Sequence, residues 1–397
     1  MEQESTALQS RHATGITGLR LVLLSTSSGW GGLEMNLLRH ARWMAEAGHT
    51  VRVVCVAGTS LDRAARETAS ESGFEDALEV RNVRKGSRYF NFISAVSWAY
   101  GLWEWKATVL WIRDPRDLDT AAWARRLSPR VKLVFHQGMQ IPKRKYSPVH
   151  LLRYRAVDQW VTPLDWLAKQ VVRNTPMRAR EISVIPLGLD DKWFEQSPDS
   201  KEAKQNARLE MGIPQDVFLA TLVGRIDPKK GQDVLVRALL ELPDHVHAML
   251  VGDPTQDDPT DYFDHLRALI KEHNLKNRVH LRPYLHSPRK AFLATDVAVV
   301  CSLQESIGSV TLEAMASGRP VIGADSGGTK ALLSENRGWT FNPGNALELA
   351  ECIEKLRTQP ELIEPRVQAA ILLAKTHRQV DVVRHWEAVL GAEYVRS

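Results

Sequence analysis

At 397 residues the chain is longer than one hydrophobic core usually organises, and this length predicts two domains. Hydrophobic residues make up 44% and charged residues 25% of the chain, an ordinary globular composition that excludes wholesale disorder. The three cysteines, Cys55, Cys301 and Cys352, have neither a disulfide nor a metal-binding spacing, which favours a reducing compartment. Residues 1–18 lack the apolar core of a signal peptide, and we predict a cytoplasmic protein.

Charge is unevenly distributed along the chain, whose net charge is +5. Residues 1–188 carry 27 Lys and Arg against 17 Asp and Glu, a net charge of +10, whereas residues 189–397 carry a net charge of −5. This asymmetry predicts that the first half meets something anionic, although a solvated basic face is the simpler alternative. The sequence contains no nucleic-acid-binding motif, so we expect no nucleic-acid partner.

The first half alternates apolar strands with helices. An apolar run at Leu19–Leu24 leads through a Ser/Gly-rich loop into a helical pattern at Leu33–Ala47, and the next apolar run is Thr50–Ala57. Strand, glycine loop, helix and strand in this order predict a βαβ unit and a parallel sheet. Further strands are predicted at Val109–Ile112, Val131–Phe135, Gln159–Val161 and Ile182–Ile185.

The stretch Tyr89–Ile112 is long enough to span a bilayer, but Glu104 and Lys106 interrupt it. Each charge at such depth costs about 2.5–3.5 kcal/mol on insertion scales. We therefore predict a buried helix near residues 91–104 followed by a strand at 108–112.

The second half repeats the order of the first. A strand at Val217–Val223 leads into the loop GRIDPKKG and a helix at Gln232–Leu242. The remaining predicted strands are Val246–Val251, Val279–Leu281, Val297–Val300, Arg319–Ala324 and Trp339–Phe341. The remaining predicted helices are Asp261–His273, Arg289–Thr295, Val310–Ala316 and Pro365–Tyr394. Residues 190–214 are the best candidate for a linker between the two halves. The pattern predicts an α/β protein of two Rossmann-like, doubly wound domains facing each other across a ligand-binding cleft.

A glycine loop at Ser28–Glu34 joins the first predicted strand to the first helix. Glycines allow a ligand to approach the backbone, and the helix N-terminus offers unpaired N–H groups and a partial positive charge. Gly31, Gly32 and Glu34 are therefore candidate substrate-binding residues. The loop lacks the G-x-G-x-x-G spacing of dinucleotide-binding proteins, and a plain tight turn is the alternative.

The loop after the strand at Val217–Val223 carries two cations, Arg225 and Lys230. At the carboxyl end of a strand they can donate charge-assisted hydrogen bonds to a diphosphate, each worth about 1.5–3 kcal/mol. A basic surface turn is the alternative.

A third loop leads into the helix predicted at Val310–Ala316. Backbone N–H groups of Ile307, Gly308 and Ser309 can hold phosphate at the helix N-terminus. Glu305 and Glu313 each offer two acceptor oxygens to pairs of sugar hydroxyls. Helix capping by Glu305 and a solvated face for Glu313 are the alternatives.

Together these segments resemble the family-4 retaining glycosyltransferases of the GT-B architecture. The resemblance rests on GGLE, VIPLGLD, VGRIDPKKG, ESIGSVTLEAMASGRPVI and Gly327-Gly328, and covers nearly the whole chain after residue 18. It implies an N-terminal acceptor-side domain at 1–188, a nucleotide-sugar-binding domain at 189–375, and a C-terminal helix at 376–397 that packs back on the first domain.

The resemblance also implies roles for individual residues. Arg225 and Lys230 would grip the donor diphosphate, Glu313 would bind the nucleoside ribose, and Glu305 would bind hydroxyls of the transferred sugar. The predicted catalytic residues are Arg225, Lys230, Glu305 and His136.

Two further positions match the family and two depart from it. Gly32 would line the phosphate side of the cleft, and His136 in FHQG matches a histidine that the family places near the donor sugar. Ile307 stands where an aromatic residue is common, and Leu187 stands where the family often has Asn. Both departures touch regions that can tune the choice of donor sugar.

The segment Asp117-Leu118-Asp119 has the D-x-D spelling of metal-dependent transferases. Acidic residues at a helix start are also expected from capping and dipole effects. Because Arg225 and Lys230 can already neutralise a diphosphate, we predict no metal and no cofactor.

The implied reaction moves a hexose-type sugar from a nucleotide diphosphate donor, with UDP or GDP favoured, to a hydroxyl acceptor with retention of configuration. It would serve glycan, polysaccharide, lipopolysaccharide or glycolipid biosynthesis. Two alternatives stay open: a sugar-nucleotide epimerase with the same layout, and a catalytically silent sugar-nucleotide-binding subunit. The four charged residues Arg225, Lys230, Glu305 and Glu313 argue against a silent copy.

Basic and aromatic residues interleave at two places in the first half. They are Arg81, Arg84, Lys85 and Arg88 beside Tyr89, Phe90 and Phe92, and again Lys143, Arg144 and Lys145. Such segments suit a membrane interface, where cations meet lipid phosphates and rings settle at headgroup depth. We predict peripheral contact with an anionic membrane and an anionic or lipid-linked glycan acceptor.

Overall fold

The computed structural model describes residues 18–71, 73–74, 76–83, 92–194, 201–254, 261–285 and 287–391. These residues form two compact units. Unit 1 contains the chain up to Pro186 and again from Val382 onward, and unit 2 contains Leu187–Asp381.

Unit 1 is built on a seven-stranded parallel sheet in the order β3-β2-β1-β4-β5-β6-β7. Its strands are β1 Arg20–Ser25, β2 Thr50–Val56, β3 Leu78–Val83, β4 Val109–Ile112, β5 Lys132–His136, β6 Gln159–Thr162 and β7 Ile182–Val184. Its helices are α1 Gly32–Glu46, α2 Ser60–Ser70, α3 Phe92–Glu104, α4 Leu118–Leu127, α5 Pro148–Tyr154 and α6 Asp165–Asn174. The strand order reverses beside β1, which has β2 on one side and β4 on the other.

Alternation along the central strands gives the unit 1 sheet two buried faces. In β4, Val109 and Trp111 pack in one apolar cluster, whereas Leu110 and Ile112 pack in another on the opposite face. Strands buried on both faces are expected in a parallel sheet covered by helices. The helix and strand predicted within 89–112 are confirmed as α3 and β4. No helix in the described parts of the chain is both long enough and apolar enough to cross a membrane.

Unit 2 is built on a six-stranded parallel sheet in the order β10-β9-β8-β11-β12-β13. Its strands are β8 Phe218–Val223, β9 Val246–Val251, β10 Val279–Arg282, β11 Val297–Val300, β12 Val321–Ala324 and β13 Trp339–Phe341. Its helices are α7 Lys201–Glu210, α8 Gln232–Ala238, α9 Tyr262–Glu272, α10 Arg289–Ala294, α11 Ser309–Ala316, α12 Gly327–Leu333, α13 Ala346–Thr358 and α14 Ile363–Lys375. The order reverses beside β8, which pairs with β9 and β11. The predicted class, two Rossmann-like parallel α/β domains, is confirmed.

The linker prediction for residues 190–214 is wrong over α7. Arg208 on this helix is buried and donates to Asp296 at 2.6 Å and to the Ala294 carbonyl at 3.0 Å. These contacts hold α7, a mostly polar helix, against the rest of unit 2. Because α7 has few apolar residues, the sequence pattern did not predict it.

The single C-terminal helix predicted at 365–394 is two helices, α14 and α15 Gln379–Gly391. Between them the His377 carbonyl accepts from the Leu189 N–H at 2.8 Å, and His377 Nδ1 lies 2.7 Å from the Leu187 carbonyl. Because this backbone pairs with another segment, it cannot continue the helix.

The described residues of α15 from Val382 onward belong to unit 1. Val382, Trp386 and Leu390 pack in the same apolar cluster as Trp111. Lys132 Nζ donates to the Val389 carbonyl at 3.0 Å. The described part of α15 therefore completes the core of unit 1.

Candidate functional site

The loop that follows β8 in unit 2 depends on glycine at both ends. Gly224 has φ 157° and Gly231 has φ 67°, backbone values that side chains rarely adopt. A Cβ on Gly231 would lie 2.7 Å from the Cys301 carbonyl oxygen, and one on Gly252 would lie 2.2 Å from the Gly224 oxygen. Close backbone approach thus sets the loop against the ends of β9 and β11.

Lys230 connects this loop to the one that precedes α11. Its Nζ lies 2.9 Å from Glu305 Oε2, and both side chains are partly buried. Burial alone would raise the pKa of Glu305, but Lys230 and hydrogen bonds from Ser302 and the Gly308 N–H lower it overall. Arg225, whose side chain is 56% exposed, places Nη2 3.7 Å from Asp227 Oδ2. One cation is therefore paired with Glu305, and the other extends into solvent.

The N-terminus of α11 is held in place by a pair of glycines. Gly308, at the cap position, has φ 88°, a left-handed value that favours glycine. The Gly328 N–H donates to the Glu305 carbonyl at 2.9 Å, and a Cβ on Gly328 would lie 2.3 Å from the Ile307 carbonyl. Ile307 and Ser309 are half-buried beside this contact. Gly328 is thus required by the packing of the loop.

Tyr284 is a residue of this region that the sequence reasoning missed. It follows β10, is 40% exposed, and its N–H donates to Asp253 Oδ1 at 3.0 Å. Burial, followed by the charges of Glu313 and Asp253, raises the pKa of its hydroxyl. This shift places Tyr284 in the electrostatic field of Glu313, which is half-buried on α11. An aromatic residue directly after a strand was the only signal available in the sequence.

In unit 1 the glycine loop leads into α1 without a left-handed turn. Gly31 is the cap residue with φ −165° and ψ −166°, an extended conformation open to any residue. Apart from its chain neighbours and the backbone of α1, no described atom lies within 4 Å of the position that a Cβ on Gly32 would take. Glu34, in the first turn of α1, is buried. The backbone conformation at Gly31 does not require glycine. What the loop offers to a ligand is the open space beside Gly32.

His136 ends β5 and is buried in an aromatic cluster. Its ring centroid lies 4.9 Å from those of His40 and Trp386 and 5.7 Å from that of Trp111. Burial, helped by Arg113 and His40, holds the pKa of His136 well below its usual range, so the imidazole is neutral at physiological pH. Its Nδ1 has no hydrogen-bond partner among the residues that the structure describes.

The two carboxylates of the D-x-D segment serve different contacts. Asp117 is buried and accepts from the Thr26 N–H at 3.1 Å and from the Thr26 hydroxyl, whereas Asp119 pairs with Arg153. Burial, opposed by Thr26, raises the pKa of Asp117 to about 7. The capping explanation is wrong for Asp117, whose side chain makes no cap hydrogen bond to α4.

No group of three or more His, Cys, Asp or Glu side chains able to hold a metal occurs within the described ranges. This finding concerns the side chains alone.

The described structure collects the predicted residues at strand ends within each unit. In unit 2 they lie after β8 and β11, where cations, a helix N-terminus and two glutamates suit an extended anionic ligand with hydroxyl groups. The residues there are Arg225, Lys230, Glu305, Ile307, Gly308, Ser309 and Glu313. In unit 1 they lie after β1 and at the end of β5, and they are Gly31, Gly32, Glu34 and His136.

Two families match the chain, one over each half. Glycosyltransferase Family 4 matches residues 30–193, and Glycosyl transferases group 1 matches residues 203–371. The two matches contain every predicted site residue described above. The chain belongs to the family-4 type of glycosyltransferases.

Curated relatives of this family-4 glycosyltransferase share part of its length. A D-inositol 3-phosphate glycosyltransferase from Xylanimonas cellulosilytica is 34% identical over 184 residues, which are 46% of this chain and 44% of that protein. A sulfoquinovosyl transferase from Arabidopsis thaliana is 25% identical over 278 residues, which are 67% of this chain and 51% of that protein. The matches thus span only about half the length of these relatives.

Solved structures resemble this family-4 glycosyltransferase over nearly its whole length. An Anabaena protein in complex with UDP and glucose has a TM-score of 0.77 at 22% identity, covering 94% of this chain and 100% of that one. A glycosyltransferase from Rickettsia africae has a TM-score of 0.81 at 17% identity, covering 96% of this chain and 100% of that one. At such identities the likeness establishes the fold, which is GT-B.

Proposed function

We propose that the protein transfers a sugar from a nucleoside diphosphate donor to a hydroxyl acceptor, with retention of configuration and without a metal. The observation that carries this proposal is the 2.9 Å ion pair between Lys230 and Glu305. It brings a phosphate-binding type of loop and a helix N-terminus together at the carboxyl ends of β8 and β11. Ligands of doubly wound sheets bind at such strand ends.

Residues of unit 2 divide the donor between them. Arg225 and Lys230 neutralise the diphosphate and stabilise the charge that develops on its β-phosphate as the sugar leaves. Glu305 binds hydroxyls of the sugar, Glu313 binds the ribose, and Tyr284 lies beside the base. The Anabaena structure with UDP and glucose supports a uridine donor.

Unit 1 contributes the acceptor side. His136, kept neutral by burial, can exchange hydrogen bonds with a sugar hydroxyl without adding a second positive charge to the oxocarbenium-like transition state. Gly31 and Gly32 leave space beside the backbone for substrate. As the bond from the sugar to the β-phosphate breaks and the bond to the acceptor oxygen forms, the leaving phosphate takes the proton of the acceptor hydroxyl.

The acceptor is anionic or lipid-linked, and the protein contacts an anionic membrane at its cytoplasmic face. The name of the Xylanimonas relative, which includes inositol 3-phosphate, supports an anionic acceptor. On α3, Val96, Tyr100 and Trp103 are 45%, 60% and 72% exposed at helical spacing, so they form an apolar stripe in water. Tyrosine and tryptophan are the residues that settle at headgroup depth.

Some of the basic residues predicted to contact an anionic membrane are exposed. Lys143 and Arg144 are exposed, and Lys145 is half-buried. Arg81 is 64% exposed and pairs with Glu79. The rest of the first basic-aromatic group, Arg84, Lys85, Arg88, Tyr89 and Phe90, together with the Phe92 side chain, lies outside the described residues.

A transfer assay tests the reaction. The protein is incubated with UDP- and GDP-sugars and either phosphorylated polyols or lipid-linked glycans, and products are followed by mass spectrometry with and without EDTA. A glycosylated product that keeps the donor's anomeric configuration by NMR, at equal yield in EDTA, supports the proposal. An isomerised sugar nucleotide without acceptor would indicate the epimerase, and loss of product in EDTA would overturn metal independence.

Vesicle co-sedimentation tests the membrane contact separately. Binding should require anionic lipid, weaken with salt, and fall in a Tyr100→Ser, Trp103→Ser variant, because rings and cations act together. Equal recovery with neutral and anionic vesicles would count against this contact and leave the transferase proposal in place.

A further inference from the structure

Arg113 occupies the position where a doubly wound sheet binds ligands. It directly follows β4, which lies beside β1 at the point where the strand order of unit 1 reverses. Ligands bind outside the carboxyl ends of the strands at such a switch point. Successive side chains of a strand point to opposite faces of the sheet, so Arg113 lies on the same face as Trp111. His136 packs against Trp111 on that face.

The guanidinium of Arg113 is buried without a partner. The residue is 2% exposed, and its Nε, Nη1 and Nη2 are all buried with no hydrogen bond to any described residue. Removing a charge from water costs several kcal/mol unless hydrogen bonds and an opposite charge compensate. By contrast, Arg116, which lies three positions after Arg113, pairs with Asp114 and is half exposed.

Among the charged groups that shift the pKa of Arg113, Glu34 alone is negative. Burial lowers the pKa of Arg113 to about 9, and the charge of Glu34 opposes this effect, so the group remains a cation at neutral pH. Burial, followed by the charge of Arg113, lowers the pKa of His40 to about 3, and His136 is neutral for the same reasons. Arg39 adds a further positive charge. Apart from Glu34, the cluster is therefore neutral or positive.

Arg113 lines a cavity whose wall also includes Gln137, Gly138 and Met139. A Cβ on Gly138 would lie 3.4 Å from Arg113 Nη2 and 2.0 Å from Leu33 Cδ2, so both side chains rest against the Gly138 backbone. Leu33 is half-buried in the first turn of α1. A ligand in that cavity would lie beside Arg113.

We propose that Arg113 binds an oxyanion of a substrate, either phosphate or carboxylate, at the strand ends of unit 1. A guanidinium presents a planar fork of N–H donors that matches such groups in a bidentate manner. The inference rests on the proposed function, because that function supplies two sources of oxyanion. They are the diphosphate of the donor and an anionic group on the acceptor.

Ligand-free stability gives the first test. Arg113→Met keeps the length of the side chain and removes the unpaired buried charge, so its melting temperature should exceed that of wild type. Arg116→Met is the matched control, and it should melt at or slightly below the wild-type temperature. An Arg113→Met protein that melts lower or fails to fold would overturn the proposal, because the guanidinium would then be a structural group.

Calorimetry with inorganic phosphate and with UDP gives the second test. Phosphate affinity should fall at least 10-fold in Arg113→Met, less in Arg113→Lys, and not at all in Arg116→Met. A parallel loss of UDP affinity assigns the oxyanion to the donor, whereas intact UDP affinity assigns it to the acceptor. Phosphate affinity that is equal in wild type and Arg113→Met, or absent from both, would overturn the proposal. Failure of sugar transfer would leave these phosphate results unchanged.

Discussion

Both units place charged residues at the carboxyl ends of their central strands, but the surroundings differ. In unit 2, Lys230 and Glu305 are paired and partly exposed, and Arg225 extends into solvent. In unit 1, Arg113, His40 and His136 are buried among tryptophans, and Arg113 has no hydrogen-bond partner within the described residues. Groups that are paired and partly exposed, such as Lys230 and Glu305, can exchange a protein partner for a ligand with little reorganisation. A buried charge without a hydrogen bond, such as Arg113, has a standing cost in stability, which a role in ligand binding would explain.

The largest effect is expected from the cations of unit 2. Arg225→Ala and Lys230→Ala should each lower turnover by about 100-fold or more, in line with the loss of one electrostatic stabiliser. Steady-state kinetics with a saturating donor measures this effect. Lys229→Ala is the matched control, because Lys229 is exposed in the same loop, and it should stay within about 2-fold of wild type. Near-normal turnover in both Arg225→Ala and Lys230→Ala would remove this loop from the site.

The two glutamates sharpen the comparison within unit 2. Glu305→Gln should damage turnover and leave nucleoside diphosphate affinity nearly intact, because Glu305 meets the sugar. Glu313→Gln should weaken the nucleotide itself by about 10-fold, the equivalent of roughly 1.4 kcal/mol. Calorimetry with free UDP and GDP separates the two roles. Equal losses of nucleotide affinity in both variants would show that the roles are assigned wrongly.

Tyr284 should contribute less than the charged groups. Tyr284→Ala should weaken nucleotide binding by about 10-fold, since stacking of a base on an aromatic ring is worth about 1–3 kcal/mol. Tyr284→Phe is the control that keeps the ring, and its affinity should match wild type. If Tyr284→Phe loses as much as Tyr284→Ala, the hydroxyl rather than the ring is the contact.

The last effect concerns stability rather than activity or binding, and it is expected from a buried carboxyl of unit 1. The pKa of Asp117 is raised to about 7, so the folded protein holds a proton there that the unfolded chain releases near pH 4. Stability from this group therefore falls as pH rises from about 4 to 7. Asp117→Asn should show a flatter decline of melting temperature over that window, and Asp119→Asn, which alters a more accessible ion pair, should keep the wild-type slope. Identical slopes in wild type and Asp117→Asn would contradict the raised pKa.

Sequence alone predicted most of the fold because the strands are short apolar runs bounded by glycine and polar loops. The runs at residues 19–24, 246–251 and 297–300 needed no tertiary information. Elements without such patterning were missed: α7 is held by the Arg208–Asp296 ion pair, and the break before α15 comes from backbone pairing with Leu189. These interactions join residues far apart in the chain, and no local pattern encodes them.

The site residues also divide into those that the sequence predicts and those that only the structure identifies. Arg225, Lys230, Glu305 and Glu313 stand in motifs whose spacing is visible in the sequence. Arg113 stands in no motif, and only its burial without a partner distinguishes it from other arginines of the chain. Physical environment is a tertiary property, so residues of this kind are found only in the folded structure.

The central claim is that the strand ends of unit 2 bind a nucleoside diphosphate sugar. Calorimetry of wild type, Lys230→Ala and Lys229→Ala with UDP-glucose, other UDP-sugars and GDP-sugars tests it most directly. The account predicts that at least one sugar nucleotide binds wild type and Lys229→Ala equally, and binds Lys230→Ala at least 10-fold more weakly. Failure of every sugar nucleotide to bind wild type, or equal binding to Lys230→Ala, would contradict the account.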